Sequence, residues 1–584
     1  MAQAAPTQCV SRRERAVPAS QRPSRRGRAG AGAARSERAR IAGALIAMAL
    51  LAAAAFLPAG RADAAAAATP NALGTAPAAA GTRPVAASTP GTPSALAGSS
   101  VSLNVMVFNI EDGGTLVSFA KVAAAIKASG ADVVGIEEAQ GHIARLARLL
   151  GWHYYSTRCQ VLSKYPLIDP PGGNGVYLYV EPRPGEVVAM MNVHLPSDPY
   201  GPYWVRDGKT TAQVIALEKK VRLAALQKQL AALPSLLTHE IPVFLTGDFN
   251  SPSFLDWTEA AVGTRAYGAG KPWPKYALEW PVSKAVVDAG FRDSFRDVYP
   301  DPVADPGLTW WAKKPRVGVS GENFGPLDVK DRIDYVYAAG DSITTASRIV
   351  GEKGGPEVSV AVSPWPSDHR AVVSSFTVTP ATPPVFVAVK QRLVSAGQSL
   401  GVVFHAPGAA GEKVAITRSS AGPGSAPVAL QPTGAGAPTA GTLSFATSRF
   451  APGHYRASLL AANGSVLSHT FFWVKARATR PRVFTAKRIY HVGQPIVVKW
   501  RDTPGERWDW VAVYDRGADP NIAYYRLWGY TFASIAGHCT LDRTQPYFGY
   551  GPQPWPVKPG RYSVYLLRDD GYSVIARGAF TIVK

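Results

Sequence analysis

The sequence predicts an α+β domain followed by two all-β domains, with a targeting segment in front of them. Between residues 101 and 380, strand-like apolar runs are mixed with segments whose apolar residues recur at helical spacing. Beyond residue 380, short alternating strands and Gly/Pro turns occur twice, without helical periodicity. The 584 residues suffice for about three or four domains, and 46% hydrophobic with 18% charged residues is typical of globular chains.

The first 64 residues have the features of an export signal. Residues 1–40 contain ten Arg and two acids, and the uncharged, Ala-rich run Ile41–Gly60 follows them. Ala62-Asp63-Ala64 then supplies the small residues of a signal-peptidase site. This order of segments predicts export to the periplasm or the cell exterior. A retained N-terminal membrane anchor is the alternative, because an apolar run of this length can span a bilayer.

Charge and cysteine content change once this segment is removed. Residues 1–64 hold eleven Arg and three acids, so their removal lowers the formal net charge from +21 to +13. The chain stays basic, which favours phosphate-rich substrates or anionic surfaces but also suits ordinary solubility. In an oxidising compartment we expect Cys159 and Cys539 to be buried separately, a bridge between them being the alternative. Residues 65–100, rich in Ala, Pro, Thr and Gly, are predicted to form a flexible linker.

From Val101 onward, buried strands and amphipathic helices follow one another irregularly. The first elements are a strand, a helix, a second strand and a helix closed by Gly151: VSLNVMVFNI, LVSFAKVAAAIKAS, ADVVGIEEA and GHIARLARLLG. A longer helix is predicted over roughly 212–233. Five further strands are predicted: GVYLYVEP, EVVAMMNVHL, IPVFLTGDF, RIDYVYAA and AVVSSFTV. Since strict β/α alternation is missing, we expect an α+β or layered sandwich domain that ends near Pro380.

The remaining residues contain an internal repeat. The segment from Val385 parallels the one from Val483, and FAPGHYRASLLAANGSVLSHTFFWV parallels VKPGRYSVYLLRDDGYSVIARGAFTIV. Each half has short strands and tight turns, so two tandem Ig-like β-sandwiches are predicted over 381–478 and 479–584. The second copy is rich in Trp and Tyr, which favours core and inter-domain packing over a ligand surface.

A set of polar residues lies at the ends of the predicted strands. Its members are Asn109, Glu138, His194, Asp248, Asn250, Asp334, Asp368 and His369. Any one of them alone is usually a turn, a helix cap or a structural histidine. Their repeated placement at strand ends, where a rigid scaffold brings polar groups together, predicts one shared site. In GDFN, the Asp and the Asn two residues later share one face if the segment is extended.

These residue types suit phosphoester hydrolysis. Hard oxygen donors without cysteine fit Mg²⁺, Mn²⁺ or Ca²⁺ better than zinc. The reaction needs a divalent ion on the non-bridging oxygens, a carboxylate for the water, and donors for the developing charge. A His beside an Asp, as in SDH, supplies a cationic phosphate partner. The sequence has no P-loop, HExxH, CxxC pair, nucleophile elbow or dinucleotide fingerprint.

The ordered motifs GDFNSPS, RIDYVY and SDH, supported by LSKYPL, resemble those of the endonuclease/exonuclease/phosphatase superfamily. That superfamily includes pancreatic-type deoxyribonuclease, abasic-site endonucleases, inositol-polyphosphate phosphatases and bacterial sphingomyelinases. The resemblance covers roughly residues 101–378. It implies a deoxyribonuclease-like four-layer α/β/β/α sandwich for the catalytic domain, 101–380, and metal-dependent attack of water on a phosphoester.

The resemblance also implies roles for single residues. Asn109 and Glu138 would hold the metal ion, with Asp368 at or near it. We choose Glu138 over Glu137 because the family's glutamate is the last residue before a small one. Thr309–Trp311 is expected either to line the end of the sheet or to pack in the core.

The other matched positions concern the water, the phosphate and the leaving group. Asp248 would align the attacking water and Asn250 would contact the phosphate. His369, oriented by Asp334, would stabilise the phosphoryl oxygens. His194 matches the histidine that deoxyribonuclease- and sphingomyelinase-like members use as general acid, although the sequence offers no clear carboxylate to orient it.

These observations together predict a secreted, Mg²⁺-dependent phosphodiesterase of the nuclease type, with Mn²⁺ or Ca²⁺ as alternative ions. A phospholipase C like the sphingomyelinases, an inositol-phosphate phosphomonoesterase and a non-catalytic surface-binding protein are the alternatives. The expected partners are a phosphoester substrate such as nucleic acid and, through the C-terminal β-domains, an anionic surface or a polysaccharide.

Overall fold

The computed structural model describes residues 99–584 except 269, 314, 316–327, 423, 522 and 543–554. The predicted export signal and all but the last two residues of the predicted linker lie outside the described residues. Among the helices within the described ranges, none is both long and apolar enough to cross a bilayer.

The part of the chain before residue 380 mixes strands with helices. Its strands are β1 (Val101–Asn109), β2 (Val133–Glu137), β3 (Tyr154–Ser156), β4 (Val161–Ser163), β5 (Leu167–Ile168), β6 (Leu178–Arg183), β7 (Glu186–His194), β8 (Val243–Asp248), β9 (Arg265–Tyr267), β10 (Lys271–Trp273), β11 (Arg292–Asp293), β12 (Asp334–Ala339), β13 (Ser342–Glu352), β14 (Val358–Val362) and β15 (Ala371–Val378). Its helices are α1 (Phe119–Ser129), α2 (Ile143–Leu150), α3 (Gly201–Arg206), α4 (Thr211–Glu218), α5 (Ala224–Thr238), α6 (Pro281–Asp288) and α7 (Ser294–Val298).

Most of these strands form two mixed sheets. The seven-stranded sheet has the order β14-β13-β15-β1-β2-β4-β3, and the six-stranded sheet has the order β11-β12-β8-β7-β6-β5. In the first, β1 runs parallel to β2 and antiparallel to β15. In the second, β8 runs parallel to β7 and antiparallel to β12. The central strands of both sheets are therefore hydrogen-bonded along both edges.

The two sheets pack face to face and helices cover their outer faces. Apolar side chains of both sheets, among them Val105, Val188 and Phe244, form the core between them. Helices α1 and α2 pack on the seven-stranded sheet, and α5 and α6 pack on the six-stranded sheet. This arrangement is the four-layer α/β/β/α sandwich expected from the resemblance, and that prediction is confirmed.

Close approach of the sheets depends on a glycine in β2. A Cβ added at Gly135 would lie 2.2 Å from both Asn192 Oδ1 on β7 and Thr246 Oγ1 on β8. These two side chains bond to each other, with the Thr246 hydroxyl donating to Asn192 Oδ1 at 2.7 Å. Because residue 135 has no side chain, β2 of the seven-stranded sheet lies directly against β7 and β8 of the six-stranded sheet.

The long helix predicted over 212–233 is a pair of helices joined by a π-turn. Helix α4 begins after a capping box formed by Thr210 and Gln213, the π-turn covers Lys219–Leu223, and α5 continues to Thr238. Inside the turn, Arg222 donates to the Glu218 carboxylate at 2.7 Å, and both side chains are fully buried. The same guanidinium reaches the carbonyl of Pro199 at 2.8 Å, which ties this helix to the loop after β7.

Beyond residue 380 the described residues are all-β. The strands are β16 (Phe386–Val389), β17 (Leu393–Ser395), β18 (Ser399–His405), β19 (Lys413–Arg418), β20 (Ala429–Pro432), β21 (Ala440–Ala446), β22 (Gly453–Leu460), β23 (Val466–Lys475), β24 (Arg482–Thr485), β25 (Ile489–His491), β26 (Ile496–Arg501), β27 (Trp510–Asp515), β28 (Leu527–Tyr530), β29 (Gly537–Leu541), β30 (Gly560–Leu567) and β31 (Val574–Val583).

These strands form two units with the same topology. The first has sheets β16-β18-β21 and β17-β23-β22-β19-β20, and the second has β24-β26-β29 and β25-β31-β30-β27-β28. Adding eight to each strand number of the first unit gives the second, so the internal sequence repeat is also a repeat of topology. Each unit buries one apolar core between its two sheets, as expected of a β-sandwich.

A shared hydrogen bond marks equivalent positions in the two sandwiches. The Tyr455 hydroxyl donates to the carbonyl of Ala451 at 2.6 Å, and the Tyr562 hydroxyl donates to the carbonyl of Lys558 at 2.8 Å. Ig-like sandwiches have a tyrosine of this kind near one strand start. The Ig-like assignment and the domain limits near 380 and 479 stay predictions. Cys159 and Cys539 are both free, Cys159 buried and Cys539 half-buried.

Candidate active site

The ends of β1 and β2 bring Asn109 and Glu138 together. Asn109 is the last residue of β1 and pairs in register with Glu137, the last residue of β2, so Glu138 lies one residue beyond the sheet. The Asn109 amide nitrogen donates to Glu138 Oε1 at 3.2 Å. The second oxygen of Glu138 accepts the main-chain N–H of Asp112 at 2.9 Å.

In the facing sheet, three neighbouring strands each have one terminus at the same level. His194 on β7 is in register with Asp248 on β8, and Asp334 on β12 is in register with Asp248 from the other side. All three residues lie at strand termini, where side chains can point past the sheet rather than into its core. The register of two sheets therefore concentrates these groups at one edge of the sandwich.

Asp248 occupies the centre of the cluster. Its Oδ2 accepts the Asn109 amide at 3.0 Å and lies 3.6 Å from Nε2 of His194. The same oxygen lies 3.6 Å from Nε2 of His369. Burial raises the pKa of Asp248 to about 6, although the two imidazoles act to lower it. A carboxylate between two imidazoles can accept a proton from a bound water and hold it close to both rings.

His369 forms a buried pair with Asp334. Nδ1 of His369 lies 3.0 Å from Asp334 Oδ2 and 3.2 Å from Oδ1, which places a proton on Nδ1. Burial alone would lower the pKa of His369, but Asp334 and the carboxylates around it raise that pKa well above its ordinary value. The Thr309 hydroxyl in turn accepts the main-chain N–H of Asp334 at 3.2 Å. The pair is therefore held as an imidazolium–carboxylate unit with Nε2 facing Asp248.

Asp368 lies beside this pair and is fixed from two sides. Its main-chain N–H donates to Glu111 Oε2 at 3.0 Å, and its Oδ2 accepts the Trp310 indole N–H at 3.4 Å. The Trp310 ring centroid lies 6.4 Å from that of His369. Of the two expectations for Thr309–Trp311, the structure therefore supports the one that places this segment at the end of the sheet.

The donor set of the cluster fits a divalent cation. In the described residues, ligand atoms of Asp248, Asp334 and His369 lie within 4.8 Å of one another. Glu138 and Asp368 add further carboxylates at the same edge. Burial raises the pKa of Glu137, immediately before Glu138, well above its ordinary value, with the charge of Asp334 adding to the effect. Carboxylates crowded and desolvated in this way are the environment in which Mg²⁺, Mn²⁺ or Ca²⁺ is bound.

The predicted metal ligands differ in how they face this cluster. Asn109 turns its amide nitrogen toward Glu138 and Asp248, while its Oδ1 accepts the main-chain N–H of Glu111 at 3.0 Å. In this orientation Asn109 positions two carboxylates. Its role as a ligand, like those of Glu138 and Asp368, stays a prediction.

One expectation about GDFN is wrong. Strand β8 ends at Asp248, and Asn250 has a φ of 48°, so the segment is not extended and the two side chains do not share a strand face. Instead the main-chain N–H of Asn250 turns back to Asp248 Oδ1 at 2.9 Å. The Asn250 amide donates to the carbonyl of Leu195 at 3.1 Å, and its predicted phosphate contact stays a prediction.

His194 has a second carboxylate neighbour that the sequence did not reveal. Its Nδ1 lies 3.7 Å from Oδ2 of Asp570, which belongs to the last β-sandwich. Burial would lower the pKa of His194, but Asp570, Asp248 and Glu138 raise it to about 9. The imidazole is thus positively charged at neutral pH and can donate a proton.

Sequence reasoning missed Glu111 and Asp570 as members of the site, and it set Glu137 aside in favour of Glu138. Glu111 lies two residues beyond Asn109, and Glu137 directly precedes Glu138, so position next to a motif was the available signal. Asp570 lies in a turn of the last sandwich, more than 300 residues from His194, and its Asp-Asp-Gly sequence is that of an ordinary hairpin turn.

The sequence that forms this site was compared with known proteins. The sequence model of the Endonuclease/Exonuclease/phosphatase family matches residues 101–369. An uncharacterized protein of Caenorhabditis elegans is 29% identical over 307 aligned residues, which cover 48% of this chain and 92% of that protein.

Two solved structures are also similar to the chain. An endonuclease/exonuclease/phosphatase from Beutenbergia cavernae has 17% identity and a TM-score of 0.28, covering 64% of this chain and 99% of its own. D. rerio TDP2 complexed with a single-strand DNA product has 13% identity and a TM-score of 0.27, covering 47% of this chain and 99% of its own. The family match covers the segment that carries the candidate site, and it supports a hydrolase of the phosphoesterase kind.

Proposed function

We propose that the protein is a divalent-metal-dependent phosphodiesterase that hydrolyses nucleic acid by attack of water on phosphorus. The observation that carries the proposal is the position of Asp248, whose Oδ2 lies 3.6 Å from Nε2 of both His194 and His369. One buried carboxylate between two cationic imidazoles provides a proton acceptor, a proton donor and positive charge for the phosphate in a single cluster.

In the proposed reaction, the oxygen of a water molecule bonds to phosphorus while Asp248 accepts a proton from that water. The bond between phosphorus and the leaving oxygen breaks. His194 donates its Nε2 proton to this oxygen. The products are a phosphomonoester and an alcohol, and the net reaction consumes one water. With a pKa of about 6 for Asp248 and about 9 for His194, both groups are in the required protonation state near neutral pH.

In this proposal His369 stabilises the phosphoryl oxygens and does not protonate the leaving group. Its Nδ1 is bound by Asp334, which keeps the ring charged and directs Nε2 toward the phosphoryl oxygens. Glu138 and Asp368 would hold the divalent cation. When bound, the cation would neutralise charge on the non-bridging oxygens and orient the phosphate.

Aromatic and basic side chains near the site favour nucleic acid as the substrate. The Tyr200 and Trp310 rings lie 5.4 Å apart, edge to face, and Trp310 contacts the catalytic cluster directly. The Lys330 ammonium lies 3.9 Å from the Trp311 ring centroid, and the Arg206 guanidinium lies 4.2 Å from that of Tyr203. Cations beside aromatic rings suit a chain of phosphates and bases, which such surfaces bind by charge and stacking.

Export completes the proposal and rests on the sequence of residues 1–64 alone. A secreted nuclease would meet nucleic acid outside the cell or in the periplasm, with Mg²⁺ or Ca²⁺ available. The contact of the C-terminal sandwiches with an anionic surface or a polysaccharide stays a prediction.

The test is an assay of the purified full-length chain against plasmid DNA, bis-(p-nitrophenyl) phosphate and sphingomyelin. Each substrate is incubated with Mg²⁺, Mn²⁺, Ca²⁺ or EDTA, beside Asp248→Asn and His369→Gln. Asp288→Asn is the matched control, because Asp288 is exposed and pairs with Lys284 at 3.5 Å on the surface of α6.

We expect EDTA-sensitive cleavage of DNA, retained by the Asp288 variant and lowered roughly 10³-fold in the other two. Cleavage of sphingomyelin alone would reassign the substrate to a phospholipid. Folded protein without turnover of any substrate, or catalytic variants as active as wild type, would refute the proposal.

A further inference from the structure

The last β-sandwich approaches the catalytic cluster through a hairpin turn. Strands β30 and β31 form a hairpin whose turn contains Arg568, Asp569, Asp570 and Gly571. Asp569 and Asp570 have φ values of 44° and 61°, a conformation that a non-glycine residue adopts at a cost. Hydrogen bonds within the sandwich hold it, because the N–H of Asp570 donates to the carbonyl of Trp508 at 3.0 Å.

Asp569 docks this turn onto the catalytic domain. Its Oδ2 accepts the main-chain N–H of Gly141 at 2.7 Å, and its Oδ1 accepts the side-chain amide of Gln160. A Cβ added at Gly141, whose φ is 82°, would lie 2.3 Å from Cδ of Arg568. Glycine at this position therefore allows the turn to lie directly on the loop that follows Glu138.

A second contact holds the strand that carries His194. The Arg507 guanidinium donates to the carbonyl of Asn192 at 2.9 Å and to the carbonyl of Gly175 at 3.0 Å. Asn192 lies two residues before His194 on β7, so the last sandwich fixes that strand end as well as the neighbouring loop. These are contacts of buried or half-buried groups, which gives them more weight than surface pairs.

Asp570 then faces His194. The Tyr530 hydroxyl donates to Asp570 Oδ1, which leaves Oδ2 directed at the imidazole, 3.7 Å from Nδ1. With Nδ1 engaged on this side, Nε2 points to the opposite side, where Asp248 lies. A carboxylate behind a catalytic histidine fixes both its tautomer and its ring orientation.

We infer that Asp570 of the last β-sandwich is the positioning residue for His194, so that the C-terminal domain completes the active site of the catalytic domain. The inference rests on the proposed function, because it concerns His194 as proton donor to the leaving oxygen. Asp570 does not touch the substrate in this assignment. It holds the imidazole in the orientation from which Nε2 can protonate the leaving group.

The test exploits the difference between two leaving groups. Departure of an alkoxide from DNA needs the proton of His194, whereas p-nitrophenolate is stable enough to leave bis-(p-nitrophenyl) phosphate without it. We expect Asp570→Asn to lower kcat on plasmid DNA roughly 10- to 10²-fold and on the nitrophenyl ester less than about 3-fold. His194→Asn should show the same selectivity, and the double variant should lose no more than His194→Asn alone.

Two further variants control for damage to the fold. Tyr530→Phe removes only the hydroxyl that holds Asp570 and should give a smaller loss with the same selectivity for DNA, whether or not Asp570→Asn folds. Asp515→Asn, in the exposed pair with Arg526 of the same sandwich, should behave as wild type on both substrates.

Equal losses on the two substrates, additive losses in the double variant, or full activity of folded Asp570→Asn would overturn the inference. A wild-type chain that cleaves neither substrate would instead refute the proposed function, so the two failures are distinguishable.

Discussion

Replacing Arg332 with Met should cause a large loss of stability, because this arginine joins two buried carboxylates. Its Nε and Nη2 donate to Asp256 at 3.0 and 2.8 Å, and its Nη1 and Nη2 donate to Asp293 at 2.9 and 2.7 Å. The Arg332 side chain is 1% exposed, and the carboxylates raise its pKa well above the ordinary value. Arg332 directly precedes Ile333 and Asp334. Its hydrogen bonds to Asp256 and Asp293 therefore also fix the start of β12 at the site.

The magnitude follows from what the variant leaves behind. Asp256 keeps the Arg296 guanidinium at 2.8 Å, whereas Asp293 keeps only main-chain donors among its contacts in the described residues. Removing one partner of a buried ion pair costs about 3–5 kcal/mol, because the remaining charge is desolvated without compensation. For a domain of this size that corresponds to a fall in Tm of roughly 10 °C.

Thermal and urea unfolding monitored by circular dichroism measure this loss, and Arg526→Met is the control. Arg526 and Asp515 form a pair at 2.7 Å with side chains 46% and 58% exposed, for which we expect a change below about 1 kcal/mol. Asp293→Asn added to the Arg332 variant should restore part of the stability by removing the unpaired charge. The reasoning fails if the Arg332 and Arg526 variants lose similar stability, or if neutralising Asp293 restores nothing.

Three further outcomes are expected. Asp334→Asn should lower kcat roughly 10²-fold or more, because His369 loses its charged partner, and a rate equal to wild type would contradict this role. Gly135→Ala should cost at least about 2 kcal/mol in urea unfolding, since its Cβ would lie 2.2 Å from oxygens of the facing sheet, whereas Gly422→Ala, with nothing within 4 Å, should cost little. Burial raises the pKa of Asp331 to about 6 from 3.8, so this group stabilises the fold most at low pH and loses that contribution as pH rises through 6. Asp331→Asn should therefore gain up to about 3 kcal/mol relative to wild type between pH 4 and pH 7, and parallel stability profiles would refute the assignment.

The sequence predicted the parts of the site that depend on strand ends. Apolar runs located β1, β2, β7, β8 and β12, and the polar residues that border such runs meet where the termini of neighbouring strands are in register. The family resemblance then gave the order of the four layers. These features were predictable because the period and length of an apolar run report burial locally.

The parts that failed depend on backbone turns or on distant segments. The shared face expected for Asp248 and Asn250 was wrong because a carboxylate oxygen of Asp248 captures the N–H of Asn250 and turns the chain. Composition does not report such a turn, because Asp and Asn also occur within extended segments. Asp570 was not predicted as a neighbour of His194, because packing between domains brings the two residues together and no local sequence pattern encodes that contact.

The identical strand order of the two C-terminal sandwiches has a consequence for their history. A topology repeated with a constant offset indicates duplication of one ancestral unit, and the hairpin turns after β22 and β30 then descend from the same turn. The first copy has Ala462 and Asn463 where the second has Asp569 and Asp570. In the first copy, Asn463 Oδ1 accepts the main-chain N–H of Ser465 at 2.9 Å, within its own turn. The two copies are therefore paralogous units that have diverged, and exchanging their order along the chain should preserve both sandwiches while leaving the catalytic domain without its carboxylate neighbour.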